Sequence, residues 1–290
     1  MPPRMAGESR WPLSPSTLLA KVAERSAHAV EAGALEPIAT DCETVTERGI
    51  RFQVRQATNL VRKQTVTRQR PADFDPFLPY EQDLYVGDAG PAHVVLFNKF
   101  NVLDEHLLIV TRAFEHQDRP LNASDFAALA VCWRAMDGLA FYNCGRVSGA
   151  SQRHKHLQLV PSLGPDGLRA PIEEVLRPDD GRVDGFEFVH GVARLTLAGL
   201  DIEAAGRRAA AVYDGLMRTT GASVGAYNLL ATRDWMMVVP RAGEFSGRTS
   251  INALGFGGSL FVRDDHELAE IRERGLLRSL ADVTRPASAG

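Results

Sequence analysis

Two histidines at alternate positions, His154 and His156, followed at the same spacing by Gln158, are the residues of this chain best suited to covalent chemistry. On an extended strand all three point to one face, and Lys155, Leu157 and Leu159 point to the other. A neutral imidazole is nucleophilic near pH 7 and splits one displacement at phosphorus into two through a covalent intermediate. Its second ring nitrogen needs an acceptor, often a backbone carbonyl, to fix the tautomer. Gln158 can hydrogen-bond a non-bridging phosphoryl oxygen but is neither acid nor base, so the site suits a leaving group that departs without a proton. Just upstream, Gly149-Ala150-Ser151-Gln152 is a small-residue turn whose unhindered N–H groups could cradle a phosphate. An H-x-H pair alone could also be two surface histidines or a pair of metal ligands. The turn before it and the Gln-φ-φ-Pro after it favour catalysis.

The elements that must position these residues follow from periodicity and punctuation. Ser16 is a candidate cap for a helix to about Ala32, with Leu18, Leu19, Val22 and Val30 on one face and Gly33 as the stop. Ile50–Val54 reads as a short strand, and the polar stretch Arg62–Pro79 as a loop. AHVVLFNKF and HLLIVTRAF, separated by NVLDE, read as a β-hairpin. Asn122 or Ser124 starts a helix carrying Phe126, Leu129, Ala130, Trp133, Leu139 and Ala140 and ending near Tyr142. The turn Gly145–Ser151 and the strand His154–Pro161 come next. After a Pro/Asp/Gly-rich boundary at about 164–184 a similar order returns: a strand in Phe186–Leu197, a helix capped by Asp201 to about Thr219, and paired strands Ala222–Leu230 and Trp235–Pro240. Tyr142-Asn143 is echoed by Tyr227-Asn228, and HLQLVP by WMMVVP, as in a duplicated unit of which only the first copy keeps chemistry. Asp264 with Glu267 resembles a capping box for a C-terminal helix that Gly275 interrupts.

The 290 residues allow one large domain or two medium ones. A 44% hydrophobic and 24% charged composition is that of an ordinary globular protein. A net charge of -3 argues against a nucleic-acid-binding protein, so an anionic small substrate needs a local cluster of cations and N–H groups. Cys42, Cys132 and Cys144 offer neither a disulfide framework nor a zinc pattern, and no metal-ligand set is visible. The opening residues lack the apolar stretch of a secretory signal, and nothing approaches a membrane span, so the expected location is cytoplasmic.

H-K-H-L-Q-L-V resembles the histidine-triad signature H-φ-H-φ-[HQ]-φ-φ, in the branch with Gln at the third position. The longer string GASQRHKHLQ, with FNKFNVLDEHLLIVTRAFEHQDRPL, YNLLATRDWMMVVPR and INALGFGGSLFV, is similar to the diadenosine tetraphosphate phosphorylases, also called ATP adenylyltransferases. Arg153 departs from the pattern, where Pro is expected, and the likeness fades after about residue 262. The resemblance implies an α+β fold: two tandem histidine-triad-like halves, each an antiparallel sheet with helices, plus an N-terminal helical extension. The halves would span 1–175, the catalytic one, and 185–290. It implies reversible phosphorolysis of diadenosine tetraphosphate to ADP and ATP through an adenylyl-histidine at His156, with His154 orienting it and Gln158 holding the α-phosphoryl group. Gly149, Ala150, Ser151 and Gln152 would line the polyphosphate. Asn98, Lys99 and Asn143 would contact nucleotide or phosphate. Lys63, Asn228, Thr232 and Asn252 would add further contacts. Magnesium is expected with the nucleotide rather than on the protein, no covalent cofactor is expected, and the tandem chain is expected to be a monomer. A galactose-1-phosphate uridylyltransferase shares the Gln-branch chemistry but carries Pro where Lys155 stands and has a metal-binding cysteine pair missing here. A nucleotide sensor that labels itself and turns over slowly is the non-enzymatic alternative.

Overall fold

The computed structural model describes residue 11 and residues 13–57 and 74–287. The N-terminal helix α1 (Pro15–Glu31) is capped by Ser14, whose side chain accepts from the Thr17 N–H, two residues earlier than the sequence suggested. Only part of its expected apolar face is buried. Leu18 and Val22 are inside with Ala29, while Leu19 and Val30 are about half exposed, at 50% and 51%. The hairpin β1 (Thr40–Glu47) and β2 (Ile50–Ala57) follows.

The centre of the molecule is one eight-stranded sheet. From the N-terminal part come β3 (Tyr85–Asp88), β4 (His93–Phe97), β5 (Leu107–Thr111), β6 (Gly138–Cys144) and β7 (His156–Pro161), with α2 (Ala123–Ala135) between β5 and β6. Two-residue strands β8 (Leu176–Arg177) and β9 (Arg182–Val183) form a small hairpin outside it. The later part adds β10 (Gly191–Arg194), β11 (Tyr227–Ala231) and β12 (Trp235–Pro240), with α3 (Ile202–Thr220) between β10 and β11. The order is β10-β12-β11-β6-β7-β5-β4-β3, antiparallel at every pairing. A second short hairpin, β13 (Phe245–Ser246) and β14 (Thr249–Ser250), leads into α4 (Ala253–Phe256). Then β15 (Ser259–Val262) joins β2 in parallel, and α5 (Asp265–Arg274) and α6 (Leu276–Asp282) close the fold.

The tandem, α+β character is explicit in this order. Each half runs strand, helix, strand, strand: β5-α2-β6-β7 and β10-α3-β11-β12, and the two meet where β6 pairs with β11. The registers decide which echoes are equivalences. Pro161 pairs with Gly138 at the start of β6, and Pro240 with Tyr227 at the start of β11, so HLQLVP and WMMVVP occupy corresponding places. Trp235 therefore stands where the first half has His156. The Tyr-Asn repeat is not an equivalence, because Asn143 and Asn228 pair with each other across the seam.

Three expectations needed correction. The helix after Asn122 ends at Ala135, and Leu139, Ala140 and Tyr142 belong to β6. Every residue of β6 is buried, so its apolar run lacks the alternation that marks a half-exposed strand. The available signal was Gly138, where a Cβ would sit 2.1 Å from the Val160 carbonyl oxygen. Second, of Phe186–Leu197 only Gly191–Arg194 is strand; Phe186 and Phe188 pack as irregular core. Third, the strand carrying the histidines begins at His156, not His154.

Residues alternate between two cores. Leu157, Leu159, Ala140 and Tyr142 face α2 and α3, which pack against each other on that side. Leu139, Phe141 and Val160 face the core built by α4, α5, α6 and β2-β15. On this second side Val94, Leu96, Leu108 and Val110 form a separate cluster with Phe77, and a cleft opens beside it.

Candidate active site

The cleft has a volume of about 400 Å³ and its floor is the carboxyl end of β6, the amino end of β7 and β5. His156, Gln158, Asn143, Gly149, Ser151, Gln152, Asn98, Lys99 and Asn252 all line it, brought together from segments as far apart as β4 and α4.

His156 is 5% exposed, and its Nδ1 lies 2.8 Å from the His154 carbonyl oxygen. A carbonyl only accepts, so Nδ1 carries the ring proton and Nε2 presents its lone pair. Among the described residues no hydrogen-bond partner meets Nε2. Burial pushes the imidazole down to about 4, outweighing the stabilising bond to the His154 carbonyl and the nearby Asp75, so it is neutral at physiological pH. Phe77 packs on the ring at a centroid distance of 5.4 Å. It is thus the main chain of His154 that orients His156. The His154 imidazole is buried to one side, with Nδ1 2.8 Å from Asp75 Oδ2 and Nε2 donating to the Thr111 carbonyl at 2.7 Å.

Gln117, which the sequence reading did not single out, holds the backbone of His156. The β6–β7 ladder stops at the Phe141–Gln158 pair, and the strands part beyond it. Into that gap the Gln117 amide inserts: Oε1 accepts from the His156 N–H at 2.8 Å, and Nε2 donates to the carbonyls of Asn143 at 3.0 Å and His156 at 3.2 Å. A side chain replaces the missing rungs.

On the opposite face Lys155 is fully buried, its ammonium donating to Asp125 at 2.7 Å, the Pro120 carbonyl at 3.1 Å and Glu115 at 3.3 Å. Asp125 also meets His93 at 2.9 Å and completes the capping box of α2 with Asn122. The residue between the two histidines therefore ties their strand to the helix behind it.

The turn is a short 3-10 segment, Arg146–Ser148, between Gly145 and Gly149. Gly149 has φ 84°, and a Cβ there would meet Asn252 Cβ at 3.0 Å and the Ile251 carbonyl oxygen at 3.2 Å, so the position demands glycine twice over. The N–H groups of Gly149 and Ala150 are already used, on the carbonyls of Arg146 and Gly145. The donors left are the Ser151 and Gln152 N–H groups, which have no partner among the described residues, and those two side chains. Ala150 does not line the cleft.

Behind the turn lies a buried amide network. Asn143 Oδ1 accepts from Asn228 Nδ2 at 2.8 Å and from the Ala253 N–H at 2.9 Å, while Asn228 also donates to the Ser148 carbonyl at 2.9 Å. Arg241 binds Asn228 Oδ1 and donates to the carbonyls of Ile251 at 2.8 Å and Gly243 at 2.7 Å. Burial lowers its guanidinium to about 10, leaving it a cation beneath the turn. Asn228 thus supports the site from a second layer, and Asn252 both lines the cleft and caps α4.

Other expected residues fall differently. Lys99 lines the cleft, but its ammonium is held by both oxygens of Glu81 at 2.8 and 2.9 Å. Thr232 is not in the cleft. It lies at the far end of β11, buried, with its hydroxyl accepting from the Asp234 N–H. That is the place in the second half corresponding to Asn143 in the first, and it is closed: Trp235 donates to Glu173, and Arg169 is paired with Glu173 and Asp234. Lys63 lies outside the described residues. Gln117 was missed because it sits in no spaced pattern. Among the described residues no cluster of three or more His, Cys, Asp or Glu side chains is placed to hold a metal ion, and no helix is long and apolar enough to cross a membrane.

A duplicated histidine-triad-like fold with the buried, neutral His156, Gln158 two residues on and a glycine turn around one cleft is that of a nucleotidyltransferase. The Ap4A phosphorylase N-terminal domain matches residues 8–178, and the ATP adenylyltransferase C-terminal domain matches residues 184–286. The chain belongs to the Ap4A phosphorylase family. It is 28% identical over 255 residues to diadenosine 5',5'''-P1,P4-tetraphosphate phosphorylase 2 of Saccharomyces cerevisiae, covering 74% of this chain and 78% of that one. It is 28% identical over 240 residues to Protein APA1 of the same yeast, covering 71% and 74% respectively. The crystal structure of yeast Ap4A phosphorylase Apa2 with AMP superposes with a TM-score of 0.77 at 25% identity, covering 94% of this chain and 98% of that one. The same enzyme with Ap4A gives 0.76 over the same coverage.

Proposed function

We propose that this enzyme catalyses the reversible phosphorolysis of diadenosine tetraphosphate to ADP and ATP by two displacements at His156. Family membership supplies the substrate class, and the observation that carries the mechanism is the bond from His156 Nδ1 to the His154 carbonyl, which leaves Nε2 unprotonated toward the cleft. Nε2 attacks the α-phosphorus, and the bond to the bridging oxygen breaks with its electron pair, releasing ATP. Phosphate oxygen then attacks the adenylyl-histidine, the P–N bond breaks back to Nε2, and ADP leaves. Neither leaving group needs a proton, which matches Gln158 at the third position. Gln158 and the Ser151–Gln152 donors would hold the phosphoryl oxygens as charge develops.

Magnesium would enter with the polyphosphate and neutralise part of its charge. The chain would work as a monomer, because the seam that would otherwise join two subunits, β6 on β11, is internal.

Incubation with diadenosine tetraphosphate with and without phosphate, products separated by chromatography, tests the reading. ADP plus ATP only with phosphate is expected. AMP plus ATP without phosphate would make the protein a hydrolase, and a single burst of labelling without turnover would make it a sensor. His156→Ala should abolish both turnover and label from α-labelled nucleotide.

A further inference from the structure

We infer that His106 is a positioning residue that fixes which end of the Gln158 amide faces the phosphoryl group. The inference rests on the role given above to Gln158. An amide has a donor end and an acceptor end of nearly the same shape, and only the NH2 end can stabilise a phosphoryl oxygen. Turned the other way, Gln158 would set its own oxygen against the substrate's. Gln158 lines the cleft, with open space on the substrate side, so the choice must be made from behind.

The structure makes it with two bonds. Gln158 Oε1 lies 3.0 Å from His106 Nε2, and Asn98 Nδ2 lies 3.2 Å from His106 Nδ1. A neutral imidazole has one N–H. With Nδ1 accepting from Asn98, the proton is on Nε2, and Gln158 must turn its oxygen to it. Gln158 Nε2 is then left toward the cleft with no partner among the described residues. Protonating His106 would add an N–H at Nδ1 and leave the bond to Gln158 unchanged, so the orientation does not depend on the charge of the ring.

The strand register delivers this geometry. Leu108 is directly opposite Gln158 on β5 and β7, so His106, two residues earlier, is its diagonal neighbour on the same face. The Asn98 N–H donates to the His106 carbonyl at 2.9 Å, holding the orienting residue and the ring on one hairpin. The ring is buried against Phe141 at 5.8 Å and has little freedom to turn.

Three substitutions separate orientation from packing. A Gln amide nitrogen reaches about as far as His Nε2, an Asn nitrogen only as far as Nδ1, and Phe fills the space without a donor. His106→Phe should lower kcat about tenfold to a hundredfold with a smaller effect on KM, since the misplaced dipole acts where charge develops. His106→Gln should restore most of the rate and His106→Asn should not. On a Gln158→Ala background, His106→Phe should cost almost nothing further. Wild-type kcat in His106→Phe, equal rescue by Asn and Gln, or an undiminished loss on the Gln158→Ala background would overturn the inference. Nitrogen-15 NMR of histidine-labelled resting enzyme, assigned by loss of the signal in His106→Gln, gives a readout independent of substrate. A proton on Nε2 with a bare Nδ1 is expected, and the opposite tautomer refutes the inference even if the reaction proves to be a different one.

Discussion

Replacing Gln117 with Leu is the sharpest test of how His156, the proposed nucleophile, is held. The side chain is 3% exposed and makes three hydrogen bonds to main-chain groups of His156 and Asn143. Leu keeps much of the volume and removes every donor and acceptor. The His156 N–H then has no partner in the gap between β6 and β7, and two carbonyls lose theirs. An orphaned buried group costs about 1–3 kcal/mol and an ordinary bond about 1, so a loss of roughly 3 kcal/mol in stability is expected. Catalysis should suffer more than stability alone explains, because freeing this end of β7 lets His156 drift, and about 1 Å of misplacement can cost roughly 100-fold. Urea unfolding with an unchanged slope gives the first quantity and kcat/KM the second. Gln117→Glu sharpens the contrast. It keeps an acceptor for His156 but sets a carboxylate against two carbonyls, so its defect should ease as acid protonates it. If Gln117→Leu stays within about 0.5 kcal/mol and twofold of wild type, the clamp does not position the nucleophile.

Three further outcomes follow from the same geometry. In the proposed mechanism His156 reacts unprotonated, and its imidazole is depressed to about 4, so self-labelling by α-labelled nucleotide without phosphate should stay level from neutral pH down to about 5 and fall only toward 4. A fall centred on the ordinary histidine value, about 6.5, would contradict its burial. Gly149→Ala puts a Cβ against Asn252 and Ile251 at positive φ, so KM for phosphate and nucleotide should rise while urea stability drops by about 1–2 kcal/mol; unchanged kinetics would make the turn merely structural. Lys155→Met leaves the buried Asp125 without its ammonium partner, held only by His93 and the Asn122 N–H, and should cost about 3–5 kcal/mol in urea unfolding, whereas Lys155→Met with Asp125→Leu should recover part of it, less the lost capping box. A double variant no better than the single would show that the ion pair is not what the strand depends on.

The chemistry of this chain was more legible than its scaffold. His156, Gln158 and the glycine turn sit next to one another in sequence, and the period of a strand is enough to place two of them on one face. The helix starts at Asn122, Asp201 and Asp264 were readable because a cap leaves a local signature. The end of α2 was not, since β6 is buried on both faces and its composition suits a helix equally well. The Glu267 side chain, expected to complete a capping box, turns instead to Arg263. Within the site, what escaped was the hydrogen bonding between residues distant in sequence, and with it Gln117 and His106 themselves. Gln117 reaches β7 across 39 residues, His106 reaches Gln158 across 52, and Asn228 reaches Asn143 across 85. No spacing rule encodes such contacts. Thr232 shows the converse: a residue placed by likeness of sequence lies at the closed, mirrored end of the sheet, where Trp235 occupies the place that His156 has in the first half.

The seam between β6 and β11 also dictates an order of events as the chain is made. A polypeptide emerging from the ribosome can build β3 to β7 with α2 from local contacts, but β6 then ends the sheet with its hydrogen-bonding edge bare and both faces apolar. Until residues 227–231 arrive, that edge is a template for any other extended chain, including the same edge of a sister molecule. Long-range strand pairing of this kind is slow to form, so the half-made protein spends its most adhesive period waiting for its second half. Truncation near the end of the first family domain should therefore yield aggregates or edge-paired dimers rather than a small working enzyme. By this argument the second half would act as a chaperone in cis, sealing the strand that carries Asn143 before any nucleotide binds.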